Sequence, residues 1–280
     1  MELRAALLQL NVSDDPAANL GVTERLVREA AAGGAQMVLT PEVTNIVSAS
    51  RDRQAAVLRA EGEDPTLARL REVARDCGVW LVIGSLALRG EGADGRFVNR
   101  CFVIRPDGSI AARYDKIHMF DVDLGGAESY RESAGFRPGE AAMTVDTPWG
   151  RLGLSICYDM RFPALYRALA EAGATILAVP AAFTVPTGRA HWEVLLRARA
   201  IETGCFLLAP AQWGTHPTTG GRVRETWGHS LAVDPWGRVL ADAGEGVGVT
   251  QVTLDLAEVA RVRASIPALA NARRFRLPEG

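Results

Sequence analysis

The sequence predicts an α/β fold, because short apolar runs alternate with amphipathic helical segments along its 280 residues. Hairpin signals are mixed with crossover units, which argues against a purely parallel sheet. Hydrophobic residues make up 48% of the chain, enough for a substantial core. Two stacked sheets with helices on their outer faces, a four-layer αββα sandwich, account for these features. The pattern alone does not separate that architecture from a doubly wound sheet.

The first half of the chain alternates strand and helix signals. Its expected strands are Leu3–Leu10, Met37–Leu39, Val79–Leu88, Asn99–Arg105 and Ile110–Tyr114, and its expected helices are Pro16–Ala32 and Pro65–Asp76. The first helix places Val22, Leu26 and Ala30 along one face. Asp107 and Gly108 form a turn signal, so the strands on either side of them are expected to pair as a hairpin.

The second half repeats this alternation. Its expected strands are Ala142–Asp146, Leu152–Ile156, Thr175–Val179, Cys205–Pro210, Ser230–Val233, Val239–Ala243 and Val249–Leu254, and its expected helices are Pro163–Ala172 and Ala190–Thr203. Gly204 follows the last helix as an expected C-cap. No linker-like or low-complexity segment interrupts the pattern, so residues 1–280 are expected to form one domain, with the tail from about 265 to 280 at an interface.

Charge and composition exclude several classes of function. The formal net charge is -2 and no strongly basic stretch stands out, so nucleic acid is not an expected partner. Glu2 and Arg4 carry charge where a signal peptide needs an apolar segment, and no uncharged apolar run reaches the ~18–20 residues of a membrane span. We therefore expect a cytoplasmic protein without a membrane partner.

Cysteines and histidines give no sign of a metal site. The four cysteines are Cys77, Cys101, Cys157 and Cys205, and they contain no C-x-x-C pair, so neither a zinc site nor a disulfide framework is indicated. The four histidines are dispersed and form no H-E-x-x-H motif. A Cys–His pair has no local signature either, although such partners need not be close in sequence.

Lys116 stands out from the composition. Lysine and arginine total 31, and Lys116 is the only lysine, which leaves 30 arginines. A chain that uses arginine for every other positive charge has a reason to use lysine where a compact ammonium is required. Chance survival of one lysine under a codon bias is the alternative interpretation. Lys116 follows a predicted strand, at the kind of sheet edge where sites are commonly built.

Cys157 is the candidate nucleophile. It ends an apolar strand and precedes a helix by a few residues, so its thiol is expected at an exposed strand-to-helix turn. Backbone N–H groups at such a turn can stabilise an oxyanion. A lone cysteine at a strand end is also compatible with a small buried hydrophobic residue. Cys77, Cys101 and Cys205 are expected to be structural.

Together with Glu42, these residues give the chain a family resemblance. It resembles the nitrilase (carbon–nitrogen hydrolase) superfamily from Leu3 to about Arg274. The matching segments are Leu39–Glu42, Tyr114–His118, Cys157–Pro163, Ala190–Glu202, Trp227–Ser230 and Asp234–Gly237. Their order and separations are those of the family. The resemblance implies the four-layer αββα sandwich, often assembled as a homodimer or higher homo-oligomer.

The resemblance also implies a role for each site residue. Cys157 is the implied nucleophile, Glu42 the general base and Lys116 the cation that stabilises the oxyanion. A second glutamate is expected near the site, and Glu132 matches it better than Glu128. The N–H of Tyr158 is the implied second oxyanion donor. The implied reaction is thiolate attack on an amide, release of ammonia and hydrolysis of the thioester, without a metal or organic cofactor.

The local motifs are most similar to the amidase branch, which acts on deaminated glutathione or on 2-oxoglutaramate. Arg161 is a candidate for binding the substrate carboxylate, and a structural pair with Asp159 or a nearby acid is the alternative. Phe183, Thr184 and Thr187 are expected to line the pocket. We favour the amidase that acts on deaminated glutathione, with ω-amidase as the alternative. N-carbamoyl amino acid hydrolase, nitrilase and a catalytically silent scaffold are further alternatives.

Overall fold

The computed structural model describes residues 1–92, 94–123, 125 and 129–276. The strands are β1 Glu2–Gln9, β2 Met37–Leu39, β3 Trp80–Arg89, β4 Phe97–Ile104, β5 Ile110–Asp115, β6 Asp121–Asp123, β7 Ser129–Arg131, β8 Met143–Thr147, β9 Gly150–Leu154, β10 Ala174–Ala178, β11 Phe206–Ala209, β12 Trp213–Thr215, β13 Glu225–Trp227, β14 Leu231–Val233, β15 Val239–Asp242 and β16 Gly248–Asp255. The helices are α1 Pro16–Ala32, α2 Arg51–Val57, α3 Pro65–Cys77, α4 Pro163–Glu171, α5 Val185–Thr203 and α6 Ala257–Ser265.

Two six-stranded sheets form the centre of the molecule. Their strand orders are β16-β1-β2-β3-β4-β5 and β15-β14-β11-β10-β9-β8. In each sheet three central strands run parallel, β1–β3 in one and β9–β11 in the other, and antiparallel strands flank them. The predicted hairpin of β4 and β5 is confirmed. This mixture of pairings explains why the sequence shows hairpin and crossover signals together.

The helices cover the outer faces of the two sheets. Side chains of β1 alternate, so that Ala6 and Leu8 pack with Leu26 of α1 and Leu70 of α3. Leu3, Ala5 and Leu7 point the other way and share a core with residues of β9 and β10. On the second sheet, α4 packs on β9 and β10, and α5 packs on β11 and β14. The result is the predicted αββα sandwich, and not the doubly wound sheet that the sequence pattern left as an alternative.

Several elements differ from the sequence prediction. Helix α5 begins at Val185 rather than Ala190, because Pro186 is accommodated in the first turn of a helix, where its missing N–H costs no hydrogen bond. Gly204 ends α5 in the left-handed region, as predicted, with φ of 60°. Helices α2 and α6 were not predicted. Helix α2 has seven residues and buries only Gln54, too little for an apolar periodicity to show.

The carboxyl ends of the parallel strands place the candidate residues at one edge. Glu42 follows β2, and Cys157 follows β9, which lies in the other sheet. Lys116 follows β5. Facing sheets therefore bring together residues that are far apart in sequence. None of the described helices is long and apolar enough to cross a membrane.

Candidate active site

Glu42 is held by backbone contacts at the end of β2. It is buried, and its main-chain oxygen accepts a hydrogen bond from Gln212 Nε2 at 3.0 Å. The next residue, Val43, has φ of 49° and donates its N–H to Ser85 Oγ at 2.9 Å. Since a β-branched residue rarely adopts a positive φ, the surrounding contacts must hold this turn in place. Glu42 Oε2 accepts the N–H of Ala182 at 3.0 Å.

Lys116 is the centre of the charged cluster. Its side chain is only 2% exposed, and Nζ lies 2.9 Å from Glu42 Oε1. The same ammonium lies 3.0 and 2.9 Å from the two carboxylate oxygens of Glu132. Its backbone N–H donates to the carbonyl of Asn99 on β4 at 3.0 Å. The buried ammonium therefore has two carboxylate partners, which offset the cost of removing it from water.

Glu132 lies on a short 3₁₀ turn, Glu132–Ala134, after β7. Besides Lys116, its Oε2 accepts the N–H of Phe120 at 2.6 Å. The side chain of Asn99 joins both acids, with Nδ2 at 2.9 Å from Glu42 Oε1 and 3.5 Å from Glu132 Oε1. Glu128, the competing candidate, lies outside the described residues. The structure brings Glu132 into the cluster with Glu42 and Lys116.

Cys157 occupies a sharp turn. Its φ is 48°, and it is one of three non-glycine residues with positive φ in the described part of the chain. Its N–H donates to the carbonyl of Pro180 at 2.8 Å, which fixes the turn against the end of β10. At a strained strand-to-helix turn, the backbone N–H of the residue after the nucleophile, here Tyr158, can face the reacting atoms. The thiol is buried on the floor of the cavity described below.

The charges of the cluster set its protonation state. Burial raises the pKa of Glu42, but the charge and hydrogen bond of Lys116 outweigh that effect and leave the pKa below its usual range. Burial lowers the pKa of Lys116, but Glu132 and Glu42 raise it well above its usual range. Burial and the charge of Glu42 raise the pKa of Cys157, against the opposing effect of Lys116. The resting site therefore holds a carboxylate, an ammonium and a neutral thiol.

Asp159 ties the nucleophile turn to the strand that carries Lys116. Its side chain is fully buried, and Oδ2 accepts the Tyr114 hydroxyl at 2.6 Å and the Ile156 N–H at 2.8 Å. Its Oδ1 accepts the N–H of His118 at 3.0 Å and lies 2.7 Å from His118 Nδ1. In sequence, Tyr114 and His118 lie two residues before and after Lys116, and Ile156 directly precedes Cys157. Among these partners Arg161 does not appear, so Asp159 is not paired with that arginine.

An open cavity of about 260 Å³ leads to this cluster. Glu42, Lys116, Glu132 and Cys157 lie on its wall. The other lining residues are Val43, Ile46, Ser48, Ala49, Arg51, Gln54, Ala87, Asn99, Phe120, Ser129, Tyr130, Arg131, Phe136, Tyr158, Ala182, Phe183, Thr184, Thr187, Arg222 and Arg224. The wall combines aromatic side chains with several cations, which suits a small anionic ligand with an apolar part.

Four of the five predicted substrate-binding residues line this cavity: Tyr158, Phe183, Thr184 and Thr187. Arg161 does not line it. Its guanidinium carbon lies 5.9 Å from the ring centroid of Tyr158 and 5.5 Å from that of Phe183. The guanidinium also lies 3.2 Å from His191 Nδ1. Arg161 therefore packs beside two lining residues without lining the cavity itself.

Sequence reasoning missed several residues of the cavity. Asn99 and Arg100 are the two polar residues of the otherwise apolar β4, and the uncharged Asn99 within such a strand was a signal that a buried partner exists. Tyr130, Arg222 and Arg224 lie on loops and short strands without a motif of their own. Among the described residues, no group of three or more His, Cys, Asp or Glu side chains is arranged to hold a metal ion.

Comparison with known proteins places this geometry in a family. The profile of the carbon–nitrogen hydrolase family matches residues 4–264. The deaminated glutathione amidase of Yersinia enterocolitica is 41% identical over 270 residues, covering 96% of this chain and 92% of that protein. The omega-amidase NIT2 of Homo sapiens is 37% identical over 265 residues, covering 94% of this chain and 92% of that protein.

A solved structure shows the same fold with a modified cysteine. It is a glutamate-to-glutamine variant of the amidase from Nesterenkonia sp. AN1, with the acetamide moiety of fluoroacetamide added covalently at the active-site cysteine. It superposes with a TM-score of 0.78 at 30% identity, covering 97% of this chain and 94% of that chain. The family profile, the two relatives and this fold agree with the predicted resemblance. The chain belongs to the carbon–nitrogen hydrolase family.

Proposed function

We propose that the protein hydrolyses a small carboxylate-bearing amide through a thioester on Cys157. The observation that carries the proposal is the meeting of Glu42, Lys116 and Glu132 with the Cys157 thiol at the floor of one cavity. A base, a cation and a thiol in contact are the groups that nucleophilic acyl transfer requires. The amidase names of the relatives support this choice of reaction.

In the first step Cys157 attacks the amide carbon. Glu42 is ionised in the resting site and takes the thiol proton as the sulfur–carbon bond forms. The carbonyl oxygen gains the negative charge, which the ammonium of Lys116 and the N–H of Tyr158 stabilise. A preorganised donor of this kind contributes on the order of 10²–10³ in rate.

In the second step the tetrahedral intermediate collapses. The carbon–nitrogen bond breaks, and Glu42 returns its proton to the leaving nitrogen, which departs as ammonia or as an amine. Water then attacks the thioester, with Glu42 accepting its proton and passing it to the departing Cys157 sulfur. Glu132 remains on Lys116 throughout and keeps the ammonium charged and oriented.

The proposed substrate is most like deaminated glutathione, with 2-oxoglutaramate as the second candidate. The relatives with these activities are 41% and 37% identical. The cavity wall favours an anion, because cations line it beside Tyr158, Phe183 and Thr184. For Arg161 we propose carboxylate binding at the acyl end, supported by its position beside Tyr158 and Phe183, two residues that line the cavity.

We also propose that residues 1–280 act as one domain in a cytoplasmic homodimer or higher homo-oligomer. Both sheets contribute to one shared apolar core, which supports a single folding unit. Exposed apolar residues cluster on α5 and the turn beside it, where Arg197 Nε donates to the Gly237 carbonyl at 2.8 Å. Val194, Ile201 and Trp236 of this cluster are exposed, which supports an association surface.

Hydrolysis of a substrate panel tests the proposed reaction. The panel contains deaminated glutathione, 2-oxoglutaramate, a neutral aliphatic amide, an N-carbamoyl amino acid and a nitrile. The acid product of each is detected by chromatography. We expect turnover of one or both keto-acid amides and none in Cys157→Ala. Cys101→Ala is the matched control, since Cys101 is a buried thiol outside the cavity. Equal turnover in Cys157→Ala and wild type would contradict the proposal, and a folded protein inactive on the whole panel would favour a scaffold.

A further inference from the structure

A β-bulge in β3 lies beside the turn that carries Glu42. The register of β3 against β4 shifts in the middle of the strand, where Gly84 and Ser85 oppose a single residue of β4. Gly84 has no room for a side chain, because a Cβ there would overlap the carbonyl oxygen of Thr40. The bulge therefore brings β3 into close contact with the segment that leads to Glu42. Bulges of this kind commonly lie beside active sites, where they redirect a side chain.

All three polar groups of Ser85 bond to the segment around Glu42. The Ser85 N–H donates to the Pro41 carbonyl at 3.2 Å, and the Ser85 carbonyl accepts the N–H of Thr44 at 2.8 Å. The Ser85 hydroxyl oxygen accepts the N–H of Val43 at 2.9 Å. Hydrogen bonds to one residue of the neighbouring strand thus bracket Glu42 on both sides. Ser85 itself is fully buried and does not line the cavity.

The bond to Val43 is the one that the Ser85 side chain supplies. Val43 has φ of 49°, which a β-branched residue adopts only where its surroundings hold it there. Without the hydroxyl, the buried N–H of Val43 would lose its acceptor, and nothing would oppose relaxation of the turn to an ordinary backbone conformation. Such a relaxation would shift the peptide that joins Glu42 to Val43, and with it the carboxylate beside Cys157.

The contacts of the Glu42 carboxylate itself depend on its charge. Lys116 Nζ at 2.9 Å and the N–H of Ala182 at 3.0 Å both donate to it, and such donors bind a carboxylate more strongly than a neutral acid. In the proposed reaction Glu42 holds the thiol proton until the nitrogen leaves, so these contacts weaken at that stage. The bonds of Ser85 are to the backbone, and they keep their strength in both protonation states of Glu42.

We infer that Ser85 is a positioning residue for the general base. Its hydroxyl holds the strained turn at Val43 and thereby keeps the Glu42 carboxylate beside Cys157 throughout the reaction. The inference rests on the proposed function, because it concerns the part that Glu42 plays there. Since Ser85 does not line the cavity, its removal should affect the chemical step and leave substrate binding unchanged.

Steady-state kinetics of Ser85→Ala test this signature. We expect kcat to fall about 10- to 100-fold with KM within about 2-fold of wild type, measured where circular dichroism shows the variant folded. Thr23→Val is the control, because it removes a buried hydroxyl of α1 that donates to the Asn19 carbonyl at 2.9 Å, and it should keep kcat. If Ser85→Ala does not fold, Ser85→Cys takes its place, since sulfur is a weaker acceptor. An unchanged kcat, or a rise in KM alone, would overturn the inference.

Alkylation of Cys157 by iodoacetamide gives a second readout that needs no turnover. The charge of Glu42 raises the pKa of the Cys157 thiol, so displacement of that charge lowers the midpoint of alkylation. We expect Ser85→Ala to move the midpoint to lower pH, and to move it no further when Glu42→Gln is already present. An equal shift in both backgrounds, or none in either, would contradict the role given to Ser85. A shift that requires Glu42, in a protein that hydrolyses no amide, would support the positioning and contradict the proposed function instead.

Discussion

Lys116 lies between two carboxylates in a space that its compact ammonium fills. Nζ approaches Glu42 and Glu132 within 3.0 Å while the side chain is almost fully buried. We predict that Lys116→Arg abolishes most activity although it keeps the charge, because a planar guanidinium cannot occupy the site of an ammonium. Loss of about 10²-fold or more in kcat, with the fold retained by circular dichroism, is the expected result. Near-normal turnover would remove Lys116 from oxyanion stabilisation.

Glu42 acts on the Cys157 thiol in two opposite ways. As a base it accepts the proton, but as a buried charge it raises the pKa of the thiol. We predict that Glu42→Gln abolishes turnover and yet moves the alkylation midpoint of Cys157 by iodoacetamide to lower pH. Rates of alkylation measured by peptide mass across pH 6 to 11, an interval around the ordinary thiol value of about 8.5, check this sign. A midpoint moved upward would contradict the electrostatic account.

At the level of elements, Asp159 links β5 to the turn after β9. It accepts hydrogen bonds from Tyr114, His118 and Ile156, which adjoin Lys116 and Cys157 in sequence. We predict that Asp159→Asn lowers the free energy of unfolding by about 2–4 kcal/mol, because the amide nitrogen faces donors. As a positioning residue it should lower kcat more than it raises KM. The control is Ser155→Ala, because Ser155 lies just after β9 and its hydroxyl is hydrogen-bonded to Tyr166 of α4.

Denaturant titration and steady-state kinetics together decide the role of Asp159. A stability loss with unchanged kcat at a temperature where the variant is folded would make Asp159 structural only. A fall in kcat at the same temperature, with KM within about 2-fold, would support its positioning of the nucleophile. The Ser155→Ala control should lose stability without that selective fall in kcat.

The strands and most of the helices could be predicted because their burial shows in the order of residues. Strand β1 is buried on both faces from Ala5 to Gln9 and appears as a short apolar run, whereas α1 and α3 each have one buried face. Lys116 could be singled out as the only lysine and Cys157 by its strand-to-helix turn, whereas the role of Glu42 and the grouping of the three came from the family resemblance. The part of the cavity wall formed by Tyr130 and Arg224 could not be predicted, because the two residues are far apart in sequence and meet only when the chain folds. The orientation of the Arg161 side chain could not be predicted either, because it depends on the turn at Cys157.

At the level of the whole molecule, the surface formed by α5 and the turn at Trp236 carries a group of exposed apolar residues. Trp236 is 51% exposed on a turn that packs against α5, where Ile201 is also exposed. We predict that Trp236→Ser shifts the proposed homo-oligomer toward the monomer, measured by light scattering over a range of concentrations. Val22→Ser, at an exposed position of α1 on the outer face of the other sheet, is the matched control for that surface. A wild type that is monomeric at all concentrations would contradict the proposed assembly.

The measurement that tests the central claim most directly is trapping of the acyl-enzyme. The protein is mixed with a keto-acid amide that it hydrolyses, quenched in acid during turnover, and mapped by peptide mass. The account predicts one acyl group, released by hydroxylamine as a thioester, on the peptide that contains Cys157 and on none containing Cys77, Cys101 or Cys205. Turnover without an acyl group on Cys157, or an acyl group on another cysteine, would contradict it.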